Sequence, residues 1–208
     1  MRYTRLRLTP RGIVLAAEHR RRLGADEGAA RAALMAFARR ARPGCWVVWL
    51  SEDPLALRAE PRPGSRVRDG MAVRFAPSPV ADRPGPLAKP WPPCAYDALR
   101  ARDAITLLTS SDGHEIWEAC SGAVVGWDGQ SIVCVPADRP RVISTSEAAL
   151  RARVAVREAP LLTADRMPLL LLNAIKGSCA LALADRPPFP WSVRRRIDAA
   201  LRRSTGWP

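Results

Sequence analysis

The most strongly patterned part of the chain is SSDGHEIWEACSGAVVGWDGQSIVCVP, residues 110–136. Its first part predicts a strand that carries Glu118. Asp128-Gly129 separates two apolar runs, residues 123–127 and 131–135, and this dipeptide is a strong hairpin signal. The stretch therefore predicts three consecutive strands, the last two paired as a hairpin.

The segments on either side predict a mixture of helices and strands. Alternating or apolar runs predict strands, and capped amphipathic runs predict helices. The predicted strands are residues 4–8, 13–15, 46–50, 71–75, 105–109, 169–172 and 179–183, and the predicted helices are residues 16–24, 26–42, 95–102, 146–156 and 192–203. This order of elements predicts an α+β fold.

A proline-rich stretch, APSPVADRPGPLAKPWPP, occupies residues 76–93. Proline at this density excludes regular structure and indicates a connection between domains. We therefore expect a small N-terminal domain over residues 1–78 and a connection over residues 79–93. A larger, β-rich C-terminal domain would follow over residues 94–208.

Lysine is almost absent from the chain. Only Lys89 and Lys176 are lysines among the 33 basic residues, so the other 31 are arginines. Arginine stays protonated in proteins, whereas a lysine amine can attack a carbonyl and form a Schiff base. Lys89 lies in the proline-rich stretch just ahead of a predicted helix, and Lys176 lies in a predicted connection between strands. The amine of Lys89 is therefore the first candidate for covalent chemistry.

The formal net charge of the chain is +13. Such a charge is typical either of a polyanion-binding protein or of an arginine-rich composition. The basic residues are spread along the whole chain without a nucleic-acid-binding motif, so we favour the second interpretation. Nucleic acid is not expected as a partner, but the charge should attract anionic small molecules into a cleft.

Membrane, disulfide and metal roles are not expected. The longest apolar run, near residues 167–172, is interrupted by Pro168 and is too short to cross a bilayer. The N-terminal region lacks a signal-peptide pattern. The five cysteines form no CxxC pair, and with only two histidines no zinc-binding spacing occurs. We therefore expect a soluble, cytoplasmic protein with reduced cysteines and no metal.

Several motifs occur in the order that is typical of one family. HRRRL at residues 19–23 matches its H-x-x-R-L motif, and residues 110–136 resemble its D-G-x-x-x-E stretch. RVISTSEAAL at residues 141–150 lies at its G-I-T-R helix start, and residues 162–172 resemble its L-x-x-A-D-E strand. On these motifs the chain resembles the class IV aminotransferases and 4-amino-4-deoxychorismate lyases, which are fold-type IV pyridoxal-phosphate enzymes. The resemblance implies a two-domain fold similar to that of D-amino-acid aminotransferase, a bound pyridoxal 5'-phosphate and a homodimer.

The resemblance also implies a role for each candidate site residue. Lys89 would form the Schiff base with the cofactor aldehyde and then act as the acid–base group. Glu118 would pair with the protonated pyridine nitrogen, which makes the ring an electron sink. The cofactor phosphate would be bound by cationic, hydroxyl and backbone groups at Arg22, Ser144, Thr145, Ser146, Asn173 and Ala174.

Other interpretations of these residues stay open at this point. Residues 144–146, Ser-Thr-Ser, also fit a simple helix N-cap. Tyr96 could hydrogen-bond the phenolic oxygen of the cofactor, but we expect an ordinary helix contact. We expect His19 to pack against its own helix rather than to take part in catalysis.

The predicted activity is elimination of pyruvate from aminodeoxychorismate to give 4-aminobenzoate, or transamination of an amino acid. Asn173-Ala174 favours the lyase, and with it an anionic substrate and a role in folate biosynthesis. The family often has Asn-x-Phe where this chain has Gly122-Ala123-Val124, and it usually has a further strand and a Gly-rich segment before the first strand seen here. These differences motivate the alternative of a non-catalytic family member that serves as a binding or assembly module.

Overall fold

The computed structural model describes residues 2–25, 28–52, 54–62, 67–83, 85–87, 94–142 and 144–202. The strands in this part of the chain are β1 (Arg2–Thr9), β2 (Gly12–Ile13), β3 (Gly44–Glu52), β4 (Leu55–Arg62), β5 (Ala72–Pro77), β6 (Ala104–Thr109), β7 (Glu115–Ala119), β8 (Ala123–Trp127), β9 (Ile132–Cys134), β10 (Val156–Glu158), β11 (Leu161–Leu162), β12 (Leu169–Asn173) and β13 (Gly177–Ala180). The helices are α1 (Ala16–Leu23), α2 (Gly28–Arg40), α3 (Cys94–Ala98), α4 (Thr145–Arg151) and α5 (Trp191–Arg202). The prediction of mixed, strand-rich structure is confirmed.

The N-terminal part of the chain forms an antiparallel sheet of order β2-β1-β3-β4. Successive side chains of a strand point to opposite faces of the sheet. Leu6 and Leu8 are buried on one face of β1, together with Val48 of β3 and apolar residues of α1 and α2. Tyr3 and Arg5 lie on the other face of β1, and both line the cavity described below.

The C-terminal part forms two further sheets, of order β11-β7-β6-β5 and β10-β9-β8-β12-β13. An apolar core contains residues of both sheets, among them Leu107, Ile116, Val124 and Leu171. A second core joins the five-stranded sheet to α4 and α5, and it includes Ile197 of α5. The five-stranded sheet is thus packed on both faces, against the four-stranded sheet on one side and against α4 and α5 on the other.

Leu15 connects the N-terminal part of the chain to the second C-terminal core. It precedes α1 with a left-handed backbone (φ 57°), and its side chain is 1 % exposed within the cluster that includes α4 and α5. An ion pair between Glu18 and Arg153 (2.9 Å) also joins α1 to the residues that follow α4. The division into two domains at residues 79–93 stays a prediction.

The predicted hairpin of residues 123–134 is confirmed. β8 and β9 pair in antiparallel register. The Asp128 carboxylate accepts hydrogen bonds from the backbone amides of Gln130 (2.9 Å) and Ser131 (2.6 Å) across the turn. Local turn chemistry therefore accounts for this hairpin.

A sharp turn separates β7 in one sheet from β8 in the other. The backbone groups of Ala119 and Gly122 pair across it, with N···O distances of 2.8 and 3.2 Å. A Cβ atom at Gly122 would lie 2.0 Å from the carbonyl oxygen of Leu172 in β12. This close approach of two backbones explains the glycine at a position where the family often has asparagine.

Several predictions of secondary structure are wrong. The helix predicted for residues 95–102 ends at Ala98. β4 was not expected, because LALRAEPR is mostly exposed at the edge of its sheet and lacks a buried face. The helix predicted for residues 146–156 ends at Arg151, and Val156 begins β10, which pairs in parallel with β9. Both strands depend on pairing with a neighbouring strand rather than on a local pattern.

The described cysteines, Cys45, Cys120, Cys134 and Cys179, are free thiols. Burial raises the pKa of Cys120 to about 11 and that of Cys134 to about 12, so both stay protonated at neutral pH. No described helix is both long enough and apolar enough to cross a membrane.

Candidate active site

A cavity of about 600 Å³ is lined by residues of β1, α1, β3, β4, α3, β6, β7, α4 and β12 and of the turns next to them. Its volume is in the range of sites that bind small molecules. The predicted site residues that line it are Arg22, Glu118, Ser144, Thr145, Asn173 and Ala174. Ser146 follows Thr145 in the first turn of α4 and is buried. Lys89 lies outside the described residues.

Glu118 lies on β7, and its side chain is 4 % exposed. Its Oε1 accepts a hydrogen bond from the hydroxyl of Tyr96 (3.0 Å) and another from the backbone amide of Val142 (3.2 Å). The hydrogen bonds that Glu118 makes within the described part of the chain both go to Oε1. Burial raises the pKa of Glu118 to about 7. A cationic group on the cavity side of Oε2 would lower this pKa and hold the side chain as a carboxylate.

The start of α4 forms another part of the cavity wall. Ser144 caps the helix, since its Oγ accepts a hydrogen bond from the amide of Ser146 (3.1 Å). Thr145 lines the cavity. The Oγ of Ser146 is buried and has no hydrogen-bond partner in the described part of the chain. The N-cap interpretation of this segment is therefore confirmed for Ser144, and the Ser146 hydroxyl is available for a ligand as far as the described residues are concerned.

Arg22 reaches the cavity from the last turn of α1. Burial lowers the pKa of its guanidinium, and the nearby Tyr3 and Glu118 act in the opposite direction. His19, one helical turn earlier, is fully buried, and its Nδ1 is hydrogen-bonded to the Thr4 hydroxyl (2.7 Å). His19 was expected to pack at its own helix, and its described hydrogen bond instead joins α1 to β1.

Asn173 holds together two turns at the cavity. Its Nδ2 donates to the carbonyl of Ser121 (2.6 Å), and its Oδ1 accepts from the amides of Ile175 (2.9 Å) and Lys176 (3.0 Å). These bonds use the side-chain amide of Asn173 within the protein. Ala174 lines the cavity in the same turn, and Lys176 is exposed there.

No protein-family model matches the chain, and no curated protein matches its sequence. Solved structures match nearly its whole length. A putative branched-chain amino acid aminotransferase from Thermotoga maritima has a TM-score of 0.73 at 14 % identity, covering 98 % of this chain and 85 % of that chain. The 4-amino-4-deoxychorismate lyase from Pseudomonas aeruginosa has a TM-score of 0.71 at 17 % identity, with 97 % and 90 % covered. A hypothetical aminotransferase from Mycobacterium tuberculosis, with alpha-ketoglutarate and PMP bound, has a TM-score of 0.70 at 18 % identity, with 98 % and 88 % covered.

The chain has the fold of these proteins. The sequence motifs predict the same fold, fold-type IV, so the resemblance is confirmed at the level of architecture. The identities of 14–18 % extend this conclusion to the fold alone.

Tyr96 has a role in this fold-type IV cavity that the sequence did not predict. An ordinary helix contact was expected, but its hydroxyl donates to the buried Glu118. Burial and the neighbouring carboxylate raise the pKa of Tyr96, so the phenol keeps its proton. The two residues are 22 positions apart, and no local sequence signal indicates that they meet.

A buried ion pair joins the first turn of α4 to the segment that precedes this helix. The Nη1 and Nη2 atoms of Arg141 donate to Glu147 at 2.5 and 2.7 Å, and Nη2 also donates to the carbonyl of Val135 (2.9 Å). The side chains of Arg141 and Glu147 are 1 % and 2 % exposed. This bidentate pair links Arg141, which precedes Ser144 and Thr145, to Glu147, which follows them, and so fixes the ends of the segment between them. The spacing of the two residues gave no sign of the pair.

Positive charge dominates the described wall of the cavity. The ionisable acidic and basic side chains that line it are those of Arg5, Arg22, Arg62, Arg100 and Arg102, against Asp97 and Glu118. Asp97 is paired with Arg100 (3.1 Å). The wall therefore favours anionic ligands. In the described part of the chain, no group of three or more His, Cys, Asp or Glu side chains could hold a metal ion.

Proposed function

We propose that the chain is a pyridoxal-phosphate-dependent enzyme of the class IV aminotransferase family. The observation that carries the proposal is the buried Glu118, whose carboxylate lines the same cavity as Arg22, Ser144 and Thr145. Solved structures with the same fold support it, since they include an aminotransferase in a PLP-bound form and an aminodeoxychorismate lyase.

The described residues fit this cofactor. Pyridoxal phosphate has a ring nitrogen that can carry a proton, and the buried Glu118 makes its hydrogen bonds to the described part of the chain through Oε1, which leaves Oε2 for that nitrogen. The cofactor also carries a phosphate, which needs several donors. The Oγ of Ser146 is buried and lacks a partner among the described residues, while Thr145 and Arg22 line the cavity. Ser146, Thr145 and Arg22 would together hold the phosphate.

Lys89, Glu118 and Tyr96 would each have a different role in the reaction. When bound, pyridoxal phosphate supplies a carbonyl for Schiff-base formation and a ring that withdraws electrons from the substrate. Lys89 would provide the amine and would then take the proton from the α carbon of the substrate. Glu118 would keep the proton on the ring nitrogen by accepting its hydrogen bond. Tyr96 would fix the orientation of the Glu118 carboxylate through its own hydrogen bond to Oε1.

The reaction we favour is lyase-like, with transamination as the second candidate. Asn173-Ala174 favours the lyase at the level of sequence, and the arginine-rich wall suits its anionic substrate. The lyase would convert 4-amino-4-deoxychorismate into pyruvate and 4-aminobenzoate, so it needs no second substrate. Formation of 4-aminobenzoate without an added 2-oxo acid would identify the lyase. Transfer of an amino group to an added 2-oxo acid would identify the transaminase.

The absorption spectrum of the purified protein with pyridoxal phosphate tests the proposal. A Schiff base between Lys89 and the cofactor should give a band at about 400–430 nm that borohydride removes. Lys89→Ala should abolish the band. Lys176→Ala is the matched control, because Lys176 is the other lysine of the chain and is exposed in the turn between β12 and β13. This variant should keep the band.

Two results would contradict the proposal. The band could be absent from the wild-type protein, or it could survive in Lys89→Ala. Mass spectrometry after borohydride treatment adds a direct readout, since the reduced cofactor should be attached to the peptide that contains Lys89. Attachment to Lys176 or to the N-terminal amine would mean that the site is wrongly assigned.

The proposal extends to assembly and cellular role. It includes a homodimer with each site near the subunit interface, two domains joined at residues 79–93, and a cytoplasmic enzyme of folate biosynthesis. Sedimentation of the purified protein at several concentrations tests the first of these. A monomer at all concentrations, with the Schiff base formed, would remove the dimer from the proposal and leave the cofactor in place.

A further inference from the structure

We propose that Arg5 forms a second anion subsite of the cavity and that this subsite selects substrates with two carboxylates. Arg5 would bind the carboxylate that is remote from the reacting carbon, and it would act as a specificity-determining residue. The inference rests on the proposed function, because it takes the cavity to be the substrate site.

The Arg5 side chain lines the cavity without any hydrogen bond to the described part of the chain. Its Nε is buried and has no partner there. Arginine carries five N–H donors, and a buried donor or charge without a partner is unfavourable. A ligand carboxylate that entered the cavity would supply the missing acceptor and the missing negative charge.

The charges around Arg5 also favour an anion. Burial lowers the pKa of Arg5, and repulsion from Arg100 lowers it further, followed by a smaller contribution from Arg62. Asp97 opposes this shift, but its carboxylate is already paired with Arg100 (3.1 Å). Arg62 is paired with Glu60 (3.1 Å). Arg5 thus remains the cation of this group without an ion-pair partner in the described residues.

The strongest charged neighbours of Arg5 differ from those of Glu118. Arg141 and Glu147 have the largest charge effects on the pKa of Glu118, whereas Arg100 and Asp97 have the largest on the pKa of Arg5. Arg5 and Glu118 line one cavity. A ligand held near Glu118 at one end could therefore place a second carboxylate against Arg5, and a small dicarboxylate has this shape.

The position of Arg5 on β1 provides a matched control. Arg7 is two residues further along the same strand, so its side chain is on the same face of the sheet. Arg7 is exposed and is not among the residues that line the cavity. Arg5→Gln and Arg7→Gln each remove one positive charge, but only the first removes it from the cavity. Arg5→Lys keeps the charge and loses the planar guanidinium.

Calorimetric titration of glutarate and pentanoate tests the subsite. The two probes have the same number of carbons and differ in the second carboxylate. We expect the wild-type protein to bind glutarate at least about 10-fold more tightly than pentanoate, as one charge-assisted interaction would produce. Arg5→Gln should remove this preference and leave pentanoate binding unchanged, Arg5→Lys should retain part of it, and Arg7→Gln should retain all of it.

Several outcomes would overturn the inference. These are equal binding of the two probes by the wild-type protein, an unchanged preference in Arg5→Gln, or an equal loss in Arg5→Gln and Arg7→Gln. Glutarate should also raise the melting temperature of the wild-type protein more than pentanoate does, whereas the two probes should raise that of a folded Arg5→Gln variant equally. No such difference in the melting temperatures would likewise overturn it.

The absorption band of the cofactor is recorded on the same samples. If the band forms and the probe preference is absent, the subsite is wrong and the proposed function stands. If no band forms, the proposed function fails, and titration of the cofactor-free protein still decides whether Arg5 binds the second carboxylate.

Discussion

At the scale of single residues, Glu118 combines deep burial with an ionisable group. Its Oε1 is bonded to Tyr96 and to the amide of Val142, and burial raises its pKa from 4.5 to about 7. Among its charged neighbours, Arg141 favours the carboxylate and Glu147 opposes it. The residue is therefore less stable as an anion in the cofactor-free protein than it would be in water.

Glu118→Gln should stabilise the cofactor-free protein above neutral pH. The folded-state pKa is raised, so the contribution of protonated Glu118 to stability is fully present below about pH 4.5 and is lost as the pH rises through about 7. Glutamine can still accept from Tyr96 and Val142 but does not ionise. We expect similar free energies of unfolding near pH 5, and an excess of about 3 kcal/mol for the variant near pH 8. Urea denaturation at both pH values measures the difference.

A carboxylate on the same strand provides a control of opposite sign. Glu115 is bonded to Arg139 (2.7 Å) and to the indole N–H of Trp117 (3.0 Å). Although burial acts to raise the pKa of Glu115, these partners lower it overall. Glu115→Gln should therefore destabilise the protein, and the loss should be greater above the pKa than below it. A stabilisation by Glu118→Gln that is the same at both pH values would contradict the assigned cause.

At the scale of elements, the turn between β7 and β8 brings Glu118 and the Asn173 turn together. Gly122 lies in this turn, against the β12 backbone. A Cβ atom in Gly122→Ala would lie 2.0 Å from the carbonyl oxygen of Leu172, and two paired strands cannot move apart easily. We expect a loss of about 3 kcal/mol or more, together with weaker cofactor binding, because overpacked sites without room to relax are strongly destabilised. Thermal denaturation measures the first effect and the absorption band the second.

Ser121→Ala is the neighbouring control for Gly122→Ala. It leaves the backbone carbonyl that accepts from Asn173, and no hydrogen bond of the Ser121 hydroxyl occurs in the described part of the chain. This variant should stay within about 0.5 kcal/mol of the wild type, as surface-like substitutions usually do. If Gly122→Ala were equally mild, the turn between β7 and β8 would have to lie farther from the Leu172 carbonyl of β12.

Local patterns in the sequence predicted most of the elements but not the contacts between them. The Asp128-Gly129 hairpin was predictable, because its turn chemistry acts over a few residues. β4 was not, because an exposed edge strand with Pro61 lacks the alternation of a buried one. The bond between Tyr96 and Glu118 joins residues from α3 and β7, and only the folded chain brings them within 3.0 Å. Motif order indicated six residues that line the cavity, whereas the Arg5 group had no signal in the sequence.

At the scale of the whole molecule, positive charge is spread over the surface and is also concentrated in the cavity. The formal net charge is +13. The buried pair of Arg141 and Glu147 is shielded from solvent ions, whereas exposed pairs such as Arg58 with Glu60 contribute little to stability. Repulsion between unpaired arginines therefore should dominate the effect of salt on the folded protein.

Sodium chloride should stabilise the protein as its concentration rises. Between about 10 mM and about 200 mM the screening length falls below the spacing of many surface charges, so repulsion in the folded state decreases. We expect a gain of about 1 kcal/mol, or roughly 2–4 °C in melting temperature for a chain of this size. Calorimetry at constant pH measures it, and Arg5→Gln should start from a higher melting temperature, because that variant lacks a buried cation without a partner in the described residues. A melting temperature that falls with salt would mean that attractive surface pairs outweigh the net charge.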